Sequence, residues 1–160
     1  MGILEFAMQM EKDSEQFYCD FASQTENKGL RTILNMLADE EHKHFSIVEK
    51  MKTEMPTAVE TNILDDVKNV FVEMKQTGTF LGPEITQIQL YTKAQDMERK
   101  SIDFYAEKVD EVPRADQRRW FVTLAEEEKK HYFLLENIIE FVSRPQTWLE
   151  NAEFCHLEEY

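Results

Sequence analysis

Along most of the chain, apolar residues return at intervals of three and four, the spacing that lines one face of an α-helix. Four such stripes can be traced. The first runs Leu4, Ala7, Glu11, Ser14, Tyr18 and Ala22, and the second Leu34, Leu37, Glu41, His44, Val48 and Met51. The third runs Tyr91, Ala94, Glu98, Ser101, Tyr105 and Val109, and the fourth Phe121, Leu124, Glu128, His131, Leu135 and Ile138. Each stripe carries acid where a core should be dry.

Turn residues divide the chain into the helices that hold these stripes. Gly29 in Asn27-Lys28-Gly29 reads as a helix stop, since glycine takes φ > 0 without a Cβ penalty. The first helix is therefore predicted over 3–27 and the second from Leu30 to Met55, where Pro56 removes a backbone donor. Pro83 and Pro113 suit the first position of the third and fourth helices, because the N–H each lacks would have no partner there. The fourth fades at Ser143-Arg144-Pro145. Between Pro56 and Gly82, the positions Ile63, Leu64, Val67, Val70, Phe71 and Met74 predict a shorter helix inside a long connection. Helices of about 25 residues are roughly 37 Å long, so a crossover of this length can join two helical hairpins into an all-α four-helix bundle. The bundle is expected over 1–142, followed by a C-terminal tail, 143–160.

Composition narrows the function classes. The chain has 160 residues, enough for one domain with a sizeable core. Lys and Arg number 18 against 32 Asp and Glu, a formal charge of −14 that argues against nucleic acid or an anionic membrane surface as partner. Charges interrupt every apolar stretch well short of the roughly 18 residues that a membrane span needs. Cys19 and Cys155 form no CxxC pair, so no disulfide framework is expected and a reducing cytoplasm fits best.

An internal repeat organises the candidate chemistry. Ala7 to Tyr18 aligns with Ala94 to Tyr105, and Leu37 to Phe45 with Leu124 to Tyr132. Glu11 and Glu98, Glu41 and Glu128, and His44 and His131 are each 87 positions apart. Four carboxylates gathered in one core would repel, and an isolated buried ion costs several kcal/mol. Two divalent cations would balance the charge of Glu11, Glu41, Glu98 and Glu128. His44 and His131, each three residues after a Glu on the same helix face, can add a neutral nitrogen apiece. Tyr18 and Tyr105 stand two turns from Glu11 and Glu98 on the same stripes; each phenol is expected to reach either a ligand carboxylate or a backbone group. His42 lies about 200° from His44 and belongs on the surface. Glu40, Glu126 and Glu127 read as members of solvated faces, and the third Glu-x-x-His, Glu153 to His156, as part of a solvated tail.

These residues resemble the ferritin-like di-iron carboxylate proteins, most closely the rubrerythrin family, over roughly 3–142. The resemblance rests on Met10-Glu11 through Tyr18, Glu40 to His44, Met97-Glu98 through Tyr105, and Glu127 to His131. It implies a ferritin-like bundle and a pair of iron ions cycling between Fe2+ and Fe3+, with Mn2+ or Zn2+ as alternative occupants. Glu41 and Glu128 would bridge the irons, Glu11 and Glu98 would be terminal ligands, and His44 and His131 would bind one iron each. Typical members carry a further Glu where this chain has Ser101, which makes the present set more symmetric and closer to a bacterioferritin centre. The tail offers only Cys155 and no rubredoxin-type iron site, so electrons are expected from an external donor such as a separate rubredoxin-like protein. The implied activity is oxidoreduction, with hydrogen peroxide or O2 as substrate, and the implied assembly is a homodimer. Iron storage or delivery with ferroxidase chemistry is the competing reading, and a metal-free helical interaction module a third.

Overall fold

A computed structural model describes residues 2–53 and 85–143. It contains four helices: α1 (Ile3–Gln24), α2 (Lys28–Met51), α3 (Ile85–Lys108) and α4 (Ala115–Ser143). The described residues contain no strand. α1 packs along α2 and α3 along α4, and the two hairpins meet through α1 against α3 and α2 against α4. This is a four-helix bundle of two paired hairpins, as the stripes predict. The predicted crossover helix at 63–74 and the tail beyond 143 lie outside the described residues.

Local chemistry moves several helix ends from their expected places. α1 stops at Gln24, and Thr25 turns extended (φ −93°, ψ 118°) with its N–H donating to Ala22 O. The next helix then starts at Lys28, because the Asn27 side chain accepts from the Leu30 N–H at 3.0 Å and caps it. Gly29 therefore sits in the first turn of α2 rather than ending α1; an Asn cap satisfies an orphan donor that a glycine stop would leave open. Arg31 holds this connection, donating to Thr25 O and Glu26 O at 3.1 and 3.0 Å. α2 ends at Met51, short of the expected Met55, in a turn where Lys52 and Thr53 donate to the carbonyls three residues back. Pro83 falls outside the described residues. Pro113 precedes the fourth helix by two positions: α4 opens at Ala115, with the Arg114 N–H donating to Gln117 Oε1 at 3.1 Å, half of a capping box.

The core has two halves. One gathers Tyr18, Phe21, Leu30, Leu34, Leu37, Tyr91, Leu134, Leu135, Ile138 and Phe141; the other gathers Ala7, Ile47, Val48, Met51, Tyr105, Phe121 and Leu124. Burying each large side chain contributes about 1.5–3 kcal/mol, so two apolar blocks can carry a polar layer between them. That layer holds the repeated acids and histidines. No helix among the described residues is long and apolar enough to cross a membrane.

Candidate metal centre

Each helix supplies donors from the middle of its stripe: Glu11 from α1, Glu41 and His44 from α2, Glu98 from α3, and Glu128 and His131 from α4. All six are at most 2% exposed. They form two overlapping groups. Glu11, Glu41, His44 and Glu128 each place one ligand-type atom within 4.8 Å of the others, and so do Glu41, Glu98, Glu128 and His131. Glu41 and Glu128 belong to both groups and so lie between them.

The histidine rings lie nearly parallel, 5.4 Å apart with 11° between their planes. His131 Nδ1 is 2.9 Å from Glu41 Oε1, 3.1 Å from Glu128 Oε2 and 3.6 Å from Glu98 Oε1. His44 Nδ1 is 3.4 Å from Glu128 Oε1, 3.6 Å from Glu11 Oε2 and 4.0 Å from Glu41 Oε2. Most of these contacts are close without being aligned for hydrogen bonding. Glu11 Oε2, Glu41 Oε2, both oxygens of Glu128 and both nitrogens of His44 are buried without a hydrogen-bond partner. Lone pairs converge here with too few N–H donors to meet them, which is the donor set a hard or borderline divalent cation requires.

The two buried phenols close the layer at its ends. Tyr18, from the first apolar block, donates to Glu98 Oε1, and Tyr105, from the second, donates to Glu11 Oε1. Both bonds cross from one hairpin to the other. Tyr18 therefore serves the carboxylate of α3 rather than that of its own helix, and Tyr105 that of α1. Burial, and then the charge of Glu98 for Tyr18 and of Glu11 for Tyr105, holds both phenols well above their ordinary pKa and keeps them as donors.

Protons take up the charge that metal ions would balance. Burial, followed by the charge of Glu128, raises Glu98 to about 8. Burial and then Glu128 and Glu98 push Glu41 up as well. For the histidines burial acts downward, but Glu128 and Glu11 around His44, and Glu98, Glu128 and Glu41 around His131, outweigh it and hold both well above the usual imidazole range. Glu128 moves the other way: burial acts upward, and His44 and His131 overcome it and hold the carboxyl below its ordinary value.

Four flanking residues test the expected solvated faces. His42 is exposed and meets Glu15 of α1 at 3.2 Å, and Glu126 is exposed beside Lys129. Glu40 departs from expectation. It is only 5% exposed, pairs with Lys43 at 3.0 Å, and forms a third group with His44 and His131. Its one sequence signal is the i, i+4 spacing to His44, which is too common in an acidic chain to single it out. Glu127, its repeat partner, is largely covered too and pairs with Lys130 at 3.0 Å. Glu153 and His156 lie outside the described residues.

On the α1/α3 side, a cavity of about 210 Å³ is lined by Phe6, Met10, Ser14, Met97, Lys100 and Ser101, among others. Ser14 and Ser101 stand one turn beyond Glu11 and Glu98. A serine in each place leaves room that a longer side chain would fill.

A buried Glu and Glu-x-x-His from each hairpin, facing one another inside a four-helix bundle, form carboxylate–histidine groups that could hold metal ions. The chain belongs to the Rubrerythrin family, which it matches over residues 2–139. This is a family of di-iron carboxylate proteins, and the two donor groups fit that chemistry. Among solved structures, a hypothetical protein from Pyrococcus furiosus is similar in fold: 22% identical, covering 88% of this chain and 87% of that one, with a TM-score of 0.63. No curated protein matches the chain significantly.

Proposed function

We propose that this protein is a di-iron oxidoreductase that reduces hydrogen peroxide or O2. Glu41 and Glu128, shared by the two donor groups, would hold both metal ions, with Glu11 and His44 completing one group and Glu98 and His131 the other. The observation that carries this reading is the pair of overlapping donor groups, sharing Glu41 and Glu128, buried between two apolar blocks. When bound, the two irons supply one electron each, and hydrogen peroxide takes up both, with two protons, to give two waters.

The chain's own residues set the conditions for that exchange. Four carboxylates would carry the −4 that neutralises two divalent ions in a site buried from water. Tyr105 fixes Glu11 Oε1 and leaves Oε2, which faces His44, for a metal ion, while Tyr18 fixes Glu98 Oε1, the oxygen that also faces His131. The cavity beside Ser14 and Ser101 gives a small oxidant an approach from the α1/α3 side. Re-reduction draws on an external donor, such as a separate rubredoxin-like protein.

Mixing the anaerobic di-ferrous protein with hydrogen peroxide in a stopped-flow cell tests the proposal. Rapid oxidation of two Fe2+ per peroxide is expected. A slow or substoichiometric reaction refutes peroxide reduction, and Mössbauer spectra of protein from iron-fed cells check that the iron is present as a coupled pair.

A further inference from the structure

Both imidazoles turn Nδ1 toward the carboxylate layer. The nearest oxygens to His44 Nδ1 and His131 Nδ1 belong to Glu128 and Glu41 at 3.4 and 2.9 Å. That leaves Nε2 of each ring, and both Nε2 atoms are buried without a hydrogen-bond partner. A histidine that gives one nitrogen's lone pair to a metal carries its proton on the other, and that N–H needs an acceptor. An unmet buried N–H costs about 1–3 kcal/mol, and a ring without an acceptor is free to take the wrong tautomer.

Glu40 is placed to be that acceptor. One of its oxygens lies within 4.8 Å of a nitrogen from His44 and of one from His131. Lys43 Nζ occupies Oε1 at 3.0 Å, while Oε2 is buried with no partner. Helix geometry gives the same direction. Successive residues turn by about 100°, so Glu40 and His42 flank Glu41 on opposite sides. His42 meets Glu15 of α1, which turns Glu40 away from α1. The remaining gap is one that a small side-chain rotation or a bridging water closes.

We infer that Glu40 is a positioning residue for the metal centre: its carboxylate accepts the ring N–H of His44 and His131 and so presents Nδ1 of both to the metal ions. The inference rests on the six-donor centre proposed above. It also makes that centre asymmetric, because Glu127, at the equivalent place in α4, belongs to none of the three donor groups among the described residues.

Co2+ titration of the full-length protein, followed by the visible d–d bands, tests this. Glu40→Leu keeps the volume and removes the acceptor, Glu40→Ala removes both, and Glu40→Gln retains an acceptor oxygen. Both acceptor-less variants should bind Co2+ about 10–100-fold more weakly, the range for losing a carboxylate behind a metal-bound His. Glu40→Gln should recover most of that loss, and Glu127→Ala should bind like the wild type. Without metal, Glu40→Leu should unfold at a lower urea concentration than Glu40→Gln, because it leaves the buried ring N–H groups and Lys43 without their acceptor. Wild-type uptake with unaltered affinity in both acceptor-less variants overturns this inference alone, as does an equal loss in Glu127→Ala. A wild-type protein that takes up no Co2+ overturns the metal-centre reading and this inference with it.

Discussion

Replacing Tyr105 by Phe removes one hydroxyl and no packing volume, and the structure specifies which carboxylate should register the loss. Tyr105 is fully buried and donates to Glu11 across the hairpin interface. A hydrogen bond to a carboxylate is worth about 1.5–3 kcal/mol, and removing the donor leaves Glu11 Oε1 buried and unpaired. At roughly 2–4 °C per kcal/mol for a chain of this size, Tyr105→Phe should lower the melting temperature of the metal-free protein by about 3–12 °C. The partner is identified by double-mutant cycles in urea, read by far-ultraviolet circular dichroism. Tyr105→Phe combined with Glu11→Leu should show a coupling of about 1–3 kcal/mol, because each single change already breaks the same bond. Combined with Glu98→Leu, on its own helix, the coupling should be clearly smaller. Tyr18→Phe should behave in mirror image, coupling to Glu98 and not to Glu11. Equal or greater coupling within the same helix would refute the crossed arrangement.

Other measurements probe the remaining links. Glu98 titrates near 8 when folded against an ordinary 4.5, so between those values the folded chain holds a proton that the unfolded chain has released. That contribution to stability is present at low pH and is lost as pH climbs through the folded value; Glu41, His44 and His131 shift in the same direction, and Glu128 opposes them only in acid. Urea midpoints of the metal-free protein should therefore fall from pH 5 to about pH 8, and a rise would contradict the assigned shifts. Bound Co2+ at 100 times its dissociation constant should add about 2.7 kcal/mol, seen as a higher melting temperature that a chelator reverses. Asn27→Ala should cost about 1 kcal/mol in the same urea assay through loss of the α2 cap, whereas Asn27→Gly should cost a few tenths. Filling the α1/α3 cavity with Ser14→Leu and Ser101→Leu should slow peroxide oxidation while leaving Co2+ stoichiometry unchanged; an unchanged rate would place the approach elsewhere.

The misplaced helix ends show how far sequence patterns reach. Asn27 and Gly29 each signal a boundary, and which one acts depends on backbone geometry that their identities leave open. Asn27 caps, Gly29 enters the helix, and the turn shifts by two or three residues without disturbing any stripe. Glu40 shows the opposite limit. A charged residue beside a stripe is ordinarily solvated, and only the tertiary structure buries Glu40 and places it beside His131 of α4.

What the amino-acid order determined by itself was everything that depends on spacing within one helix. The four stripes, the i, i+3 pairs Glu41/His44 and Glu128/His131, and the repeat at 87 positions follow from 100° per residue and require no neighbour. Convergence of the six donors was implied, because four acidic stripes can be buried together only around compensating charge. Tertiary structure alone decided what lies between helices: that Tyr18 serves Glu98 and Tyr105 serves Glu11, that Glu40 is enclosed with the two histidines, and that a cavity opens beside Ser14 and Ser101. Contacts between hairpins depend on how two separately formed units rotate and slide against each other, and helical periodicity within either one carries no term for that rotation.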